Sequence, residues 1–220
     1  MIRLHMIVEG QTEQRFAQNL LAPHLAAFNV FLDVRCVYTS KGYRGGMSSY
    51  GKAQNDIKLW IKQDSHAECR FTTMFDLYAL PNDFPGHANA AQKNDPYERV
   101  RCLEESLAQS VGDARFIPYI QLHEFETLIL AAPENLDAEY LEHESRINNL
   151  ITMVRDSNPE LINDGPETAP SKRILREIPR YKKMAGVAVV KKTGLPTLRQ
   201  KCHHFDEWVL RLENLARTNP

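Results

Sequence analysis

Acidic residues stand at the ends of three strand-like segments of this chain. Glu9 follows the first segment, Asp76 closes the second, and Glu124 and Glu126 come shortly after the third. Neighbouring parallel strands end at the same edge of a sheet, so we expect these carboxylates to converge on one crevice. Carboxylates held together repel one another unless a cation joins them, and oxygen ligands suit Mg²⁺ or Mn²⁺. The pattern predicts a metal-dependent enzyme that acts on a phosphate-bearing substrate.

Two further acids could belong to such a site. Asp83 lies in the loop after Asp76 and is a candidate ligand of the same ion, although a turn with Asn82 explains it more simply. Glu13 lies in the first turn of a predicted helix. There it is either a second ligand or a charge that interacts favourably with the helix N-terminus.

The segment Gln121–Glu126 contains three ionisable residues, His123, Glu124 and Glu126, directly after a strand. If a helix begins after Gln121, His123 and Glu126 share one face and could ligate together. His123 could instead act as a general acid or base near neutral pH. In an extended segment Glu124 and Glu126 would point the same way. The sequence leaves these arrangements open, and the density of ionisable groups favours a functional role.

The segment Pro170–Lys201 contains ten basic residues and one acid, a local charge of about +9. The candidates for phosphate binding within it are Lys172, Arg173, Lys182 and Lys183. Ser171 stands at a predicted helix start, where free amides and two adjacent cations could bind a phosphate. A basic flank beside an acidic site suits an enzyme that attracts a polyanion such as nucleic acid. A solvated helix face rich in lysine is an equally good explanation.

Strands and helices alternate through the first part of the chain. The predicted strands are residues 2–8, 29–38, 69–76 and 116–121. Three helices are predicted between them: one with Thr12 as its N-cap, one from 52 to 62, and one from 96 to 109. This alternation predicts an α/β fold, with a mostly parallel four-stranded sheet and helices on both faces. We expect the fourth strand to lie close to the first and residues 39–51 to form a mobile loop. Residues 1–132 would form this core, and 133–220 a basic, helical C-terminal extension packed on it.

The composition of the sequence indicates which class of protein this is. The chain has 220 residues, 43% hydrophobic and 25% charged, which is typical of a globular protein in water. It contains neither an apolar run of about 20 residues nor a signal-peptide pattern, so we expect a cytoplasmic protein without a membrane span. Four widely spaced cysteines indicate reduced thiols. The cluster from Cys202 to Asp206 has poor spacing for zinc, and no nucleotide-binding glycine loop is present.

Several blocks of the sequence resemble known families. The opening Val8-Glu9-Gly10-Gln11-Thr12-Glu13, the acid-ended third strand and the later acidic block resemble the Toprim catalytic domain of topoisomerases, primases and overcoming-lysogenisation-defect nucleases. The blocks 75–86, 121–126, 168–173 and 202–205 are similar to those of a bacterial family of unknown function, family 4276. The second resemblance extends over nearly the whole chain.

The resemblance implies a fold, an activity and partners. It implies a Toprim-like core in which Glu9 ligates metal or serves as general acid or base. The Toprim D-x-D motif falls on Asp76-Leu77-Tyr78, where Tyr78 replaces the second acid. Members of family 4276 are often encoded beside ATPases, which implies an antiviral nuclease with an ATPase partner. The alternative is a non-catalytic nucleic-acid-binding or adaptor subunit of an ATPase complex.

Overall fold

The computed structural model describes residues 1–37, 47, 49–78, 80–163, 165 and 167–217. The chain divides into two compact units, Met1–Gln121 with Leu210–Pro220, and Leu122–Val209. Most of the predicted loop 39–51 lies outside the described residues. The predicted domain boundary at residue 132 stays a prediction.

A parallel sheet forms the centre of the first unit. Its strands are β1 Ile2–Val8, β2 Val30–Cys36, β3 Cys69–Asp76, β4 Phe116–Ile117 and β5 Ile120–Gln121. The strand order is β2-β1-β3-β4, β5 also pairs with β3, and every pairing is parallel. Six of the seven β1 positions are buried, as expected of a parallel strand covered on both faces. The α/β prediction, with a parallel sheet flanked by helices, is confirmed.

The fourth predicted strand differs from expectation in two respects. It is split into β4 and β5, because Pro118 between them has no backbone N–H to donate to the ladder. The amide of the next residue, Tyr119, donates instead to the hydroxyl of Thr73 on β3 at 3.0 Å. Both short strands pair with β3, so the expectation that this strand lies close to β1 is wrong.

Helices connect the strands of the first unit. They are α1 Gln11–Phe16, a π-helical turn Ala17–Leu21, α2 Ala22–Ala26, α3 Tyr50–Gln63, α4 His87–Ala90 and α5 Pro96–Val111. The N-cap of α1 is Gly10, so the prediction of Thr12 as N-cap is wrong, and Thr12 is buried in the first turn. The start of α5 is as predicted, because Asp95 accepts a hydrogen bond from the amide of Glu98 at 2.9 Å.

The second unit is helical. Its α-helices are α6 Glu126–Leu130, α7 Glu144–Val154, α8 Pro170–Glu177, α9 Lys183–Thr193, α10 Leu195–Lys201 and α11 His203–Glu213, whose C-terminal part belongs to the first unit. Short 3₁₀ helices are Pro133–Ala138, Leu141–His143 and Pro159–Leu161, and Asn214–Ala216 follows α11. The helical C-terminal region is confirmed. No described helix combines the length and the apolar character that crossing a membrane requires.

The first backbone amides of α11 donate hydrogen bonds to a residue that is remote in the sequence. Glu160 is fully buried, and its carboxylate accepts hydrogen bonds from the amides of His204 at 3.0 Å and Phe205 at 3.1 Å. The first amides of a helix have no partner within the helix. A carboxylate also complements the positive end of the helix dipole.

We predict that Glu160→Ala lowers the free energy of unfolding by about 2 kcal/mol, because it leaves two buried amides without an acceptor. Glu207→Ala is the matched control, since the Glu207 side chain is 44% exposed and pairs with the exposed His203 on the same helix. The control should cost less than about 0.5 kcal/mol. Urea unfolding of the three proteins measures the difference, and equal midpoints for the two variants would contradict the capping role.

Candidate functional site

Glu9 and Asp76 meet at the carboxyl ends of β1 and β3. The two strands are neighbours in register, with Val8 opposite Met74. The backbone amide of Asp76 donates a hydrogen bond of 3.0 Å to Oε1 of Glu9. Both side chains are half-buried. The structure therefore brings these two predicted site residues together at the edge of the sheet where open α/β folds bind ligands.

Glu13 adds a third carboxylate close to Glu9 in the chain. It is buried in the first turn of α1, and its Oε2 would lie 3.2 Å from a Cβ atom placed on Gly10. The pKa of the Cys36 thiol is raised, first by burial and then by the charge of Glu13. Glu13 therefore adds negative charge close to Cys36, at the carboxyl end of β2.

Asp83 has a structural partner. Its carboxylate accepts hydrogen bonds from the backbone amide of Tyr50, at 3.0 and 3.1 Å, and from the hydroxyl of Ser49 at 3.1 Å. The bond from the Tyr50 amide is the main cause that holds the pKa of Asp83 below its ordinary value. These contacts stabilise the start of α3 and differ from the expected turn with Asn82. Metal ligation by Asp83 stays a prediction.

Glu124, in the second unit, holds the start of α8. Its Oε2 accepts the backbone amide of Ser171 at 2.9 Å and its Oε1 accepts the Ser171 hydroxyl at 3.0 Å. Both groups are buried. The Ser171 amide and hydroxyl, which we expected to be available to a phosphate, therefore bind a carboxylate of the protein itself.

Glu126 occupies an apolar environment at the first position of α6. It is fully buried, its Oε1 accepts a hydrogen bond of 3.1 Å from the Tyr181 hydroxyl, and its Oε2 lies 4.0 Å from Nζ of Lys183. Within the described residues Oε2 accepts no hydrogen bond. Burial raises the pKa of Glu126; the charge of Lys183 lowers it, and that of Glu124 raises it further. The Glu126 carboxyl group therefore keeps its proton to a higher pH than an exposed glutamate does.

Gly186 allows α9 to pack closely against Tyr181, which donates to Glu126. A Cβ atom at Gly186 would lie 2.7 Å from the Tyr181 hydroxyl and 2.7 Å from Cδ1 of Ile129. Any larger residue would therefore displace the hydroxyl that donates to Glu126.

His123 is held in a conformation that few residues other than glycine adopt. Its φ angle is 63°, in the left-handed region, and its side chain is buried. Its Nδ1 lies 3.2 Å from the Asn163 amide nitrogen. Such backbone strain costs about 1–3 kcal/mol and is concentrated at functional sites. The strain supports a specific role for this residue.

The four basic residues predicted to bind phosphate differ in how exposed they are. Lys172, Lys182 and Lys183 are exposed. Arg173 is half-buried, with its Nε donating to the Thr168 carbonyl at 2.6 Å. The exposed lysines are therefore better placed than Arg173 to contact a polyanion.

One group of ionisable residues was missed by the sequence analysis. Ligand atoms of His5, Asp64 and Cys69 all lie within 4.8 Å of one another, and this set could hold a metal ion. The only signal in the sequence is a histidine in the middle of an apolar strand. Long separation along the chain hid the relation between His5 and the other two residues.

Comparison with known proteins identifies the family. The model of the family described as "Domain of unknown function (DUF4276)" matches residues 8–213. The chain belongs to this family. No curated protein matches the chain.

Solved structures of another protein are similar to the chain. One is the C-terminal region of the OLD protein of Xanthomonas campestris pv. campestris phased with mercury, at 14% identity and a TM-score of 0.47, covering 99% of this chain and 97% of that chain. The same region phased with platinum gives 15% identity and a TM-score of 0.44, with 96% and 95% covered. The Toprim resemblance stays a prediction.

The raised pKa of Glu126 predicts a pH-dependent loss of stability. A carboxyl whose pKa is raised on folding contributes stability below its unfolded value, near 4.5, and loses it as pH rises through the folded pKa. Glu126→Gln cannot ionise, so its stability relative to wild type should increase from pH 4 upward. Urea unfolding in EDTA at a series of pH values measures this. Glu134→Gln, at an exposed position, is the control, and a parallel pH profile for Glu126→Gln and wild type would refute the prediction.

Proposed function

We propose that the protein is a Mg²⁺- or Mn²⁺-dependent phosphodiesterase that acts on nucleic acid. The observation that carries the proposal is the meeting of Glu9 and Asp76 at the carboxyl ends of two adjacent parallel strands. Carboxylates at this edge of a sheet are suited to hold a hard cation next to a bound phosphate.

The chemistry of the three acidic side chains suits such an ion. Glu9 and Asp76 would hold it, with Glu13 as a third carboxylate, and all three supply the oxygen ligands that Mg²⁺ and Mn²⁺ prefer. The amide of Asp76 fixes one oxygen of Glu9 and so orients its carboxylate. Bound there, the ion would supply Lewis-acid stabilisation of phosphate charge and a more acidic water.

Among the predicted acids of the second unit, Glu126 suits chemistry better than Glu124. Each oxygen of Glu124 already accepts a hydrogen bond from Ser171, which supports a structural role for Glu124. Glu126 keeps one oxygen without a hydrogen bond from the described residues, and burial raises its pKa. Of these two acids, we therefore assign a role in the chemistry to Glu126.

The remaining parts of the proposal concern proton transfer, substrate and partner. His123, in its strained conformation, would transfer protons, and the exposed Lys172, Lys182 and Lys183 would contact phosphates. The resemblance to a family encoded beside ATPases supports an ATPase partner and a role in defence against phage.

A second candidate is a non-catalytic nucleic-acid-binding or adaptor subunit of an ATPase complex. It is favoured by Tyr78 in place of an acid, and by the structural contacts of Asp83 with Tyr50 and of Glu124 with Ser171. Two of the predicted metal ligands would then serve folding alone.

The metal site predicts a stabilising effect of divalent ions. Mg²⁺ or Mn²⁺ at about 100 times its Kd should stabilise the folded state by about 2.7 kcal/mol. Glu9→Gln combined with Asp76→Asn should remove this shift in melting temperature. Glu68→Gln combined with Glu105→Gln removes two exposed acids of the same unit and should retain it. An equal shift in wild type and the first double variant would show that Glu9 and Asp76 do not bind the ion.

Cleavage should separate Glu126 from Glu124. Glu126→Gln should abolish Mn²⁺-dependent cleavage of nucleic acid while the protein stays folded, because it replaces a carboxyl group needed for chemistry. Glu124→Gln should retain cleavage per folded molecule and lose about 1–3 kcal/mol of stability, because Ser171 loses part of its acceptor. Gel assays on single- and double-stranded DNA and RNA, with and without the neighbouring ATPase, measure this. A wild-type protein that cleaves nothing with its partner present would favour the adaptor function.

Binding to nucleic acid should depend steeply on salt. Removing one lysine that neutralises a phosphate should reduce the slope of log K against log salt by about 0.7 to 0.9. Lys172→Ala combined with Lys182→Ala should reduce it by roughly twice that amount. Lys192→Ala is the control, because Lys192 already pairs with Asp137 at 2.6 Å. If the double variant keeps the wild-type slope, these lysines do not contact phosphates.

A further inference from the structure

We propose that His5, Asp64 and Cys69 form a binding site for Zn²⁺, separate from the carboxylates of the proposed function. His5 lies on β1, Asp64 directly follows α3, and Cys69 begins β3. Cys69 is the first residue of β3 and Asp76 is the last, so the two sites lie toward opposite ends of that strand. The inference does not depend on the proposed enzymatic activity.

The distances between the ligand atoms suit a single ion. All three ligand atoms lie within 4.8 Å of one another, and Nε2 of His5 is 3.0 Å from Oδ2 of Asp64. Zinc binds nitrogen and oxygen at about 2.0–2.2 Å and sulfur at about 2.3 Å, so ligands of one tetrahedral ion are about 3–4 Å apart. Only a small rearrangement of the three side chains around the ion is required.

The donor set selects zinc over magnesium. A thiolate, an imidazole and a carboxylate are ligands of Zn²⁺, whereas Mg²⁺ and Mn²⁺ favour oxygen ligands. Binding breaks the S–H bond of Cys69, forms a bond between sulfur and zinc, and releases the proton to solvent. The thiolate and the Asp64 carboxylate together neutralise the dication, which makes the assembly acceptable in a largely buried position.

The surroundings of His5 hold its ring in the orientation that a ligand needs. Its Nδ1 makes no hydrogen bond within the described residues and lies 3.5 Å from Oδ2 of Asp33, while Nε2 faces Asp64. A carboxylate bonded to the second ring nitrogen orients the ring of metal-binding histidines, and Asp33 would take this role when the ion binds. The rings of Trp60 and Phe71 flank the imidazole, at centroid distances of 4.7 and 5.1 Å.

Asp64 is positioned to use one oxygen for the ion. Its Oδ1 binds Nη2 of Arg3 at 2.7 Å, and its Oδ2 is the oxygen that faces His5. The Asp64 side chain is 15% exposed, which gives an ion access from solvent. Bound zinc would join β1, the end of α3 and the start of β3, and would therefore stabilise the first unit.

Titration of the whole protein with Co²⁺, followed by Zn²⁺ competition, tests the site. Wild type should show thiolate-to-cobalt charge-transfer absorption at one equivalent, and Zn²⁺ should remove it. Cys69→Ser should lack the absorption. Cys202→Ser removes another buried thiol and should retain it, as should Glu9→Gln combined with Asp76→Asn.

A second variant keeps the test decisive if Cys69→Ser does not fold. Asp33 is 58% exposed, so Asp33→Asn should fold and should weaken Zn²⁺ binding by about 10- to 100-fold. The proposal is overturned if wild type gives no charge-transfer absorption. It is also overturned if the absorption persists in Cys69→Ser, disappears in Cys202→Ser, or if Asp33→Asn binds Zn²⁺ as tightly as wild type.

Discussion

The fold depends on carboxylates that accept hydrogen bonds from backbone amides far away in the sequence. The pairs are Glu9 with Asp76, Asp83 with Tyr50, Glu104 with Ile120, Glu124 with Ser171, and Glu160 with His204 and Phe205. An amide buried without an acceptor costs about as much as a lost hydrogen bond, and usually more when a charge is involved. Three of these acids act at the first turns of α3, α8 and α11, and at α3 and α8 the N-cap side chain makes no capping hydrogen bond. Acidic residues thus stabilise the fold through long-range hydrogen bonds and also form the candidate site.

The sequence was sufficient for some elements whose determining contacts are local. The bounds of β3 and the start of α5 at Asp95 follow from a continuous apolar run and from a cap three residues away. It was insufficient where the partner is remote. The break at Pro118 can be read from the sequence, but the Thr73 hydroxyl that accepts the displaced amide cannot.

The candidate site shows the same division. The meeting of Glu9 and Asp76 follows from a general property of parallel strands, so their types and positions sufficed to predict it. An acid after a strand does not reveal whether its partner is a cation or an amide, and Glu124 turned out to bind Ser171. The contact between His5 and Asp64 could not be predicted from the sequence, because it depends on the register of β1 against β3 and on where α3 ends.

The break at Pro118 also bears on whether the edge of the sheet can pair with a strand of another molecule. Edge strands can pair with another molecule, and short or interrupted strands resist this. On one side of the described sheet, β4 and β5 have two residues each, separated by Pro118, and present little continuous backbone. On the other side, β2 exposes Phe31, Asp33 and Arg35 at alternate positions of a seven-residue strand. Pairing with another molecule is therefore disfavoured by interruption of the backbone at one edge and by two charged side chains at the other.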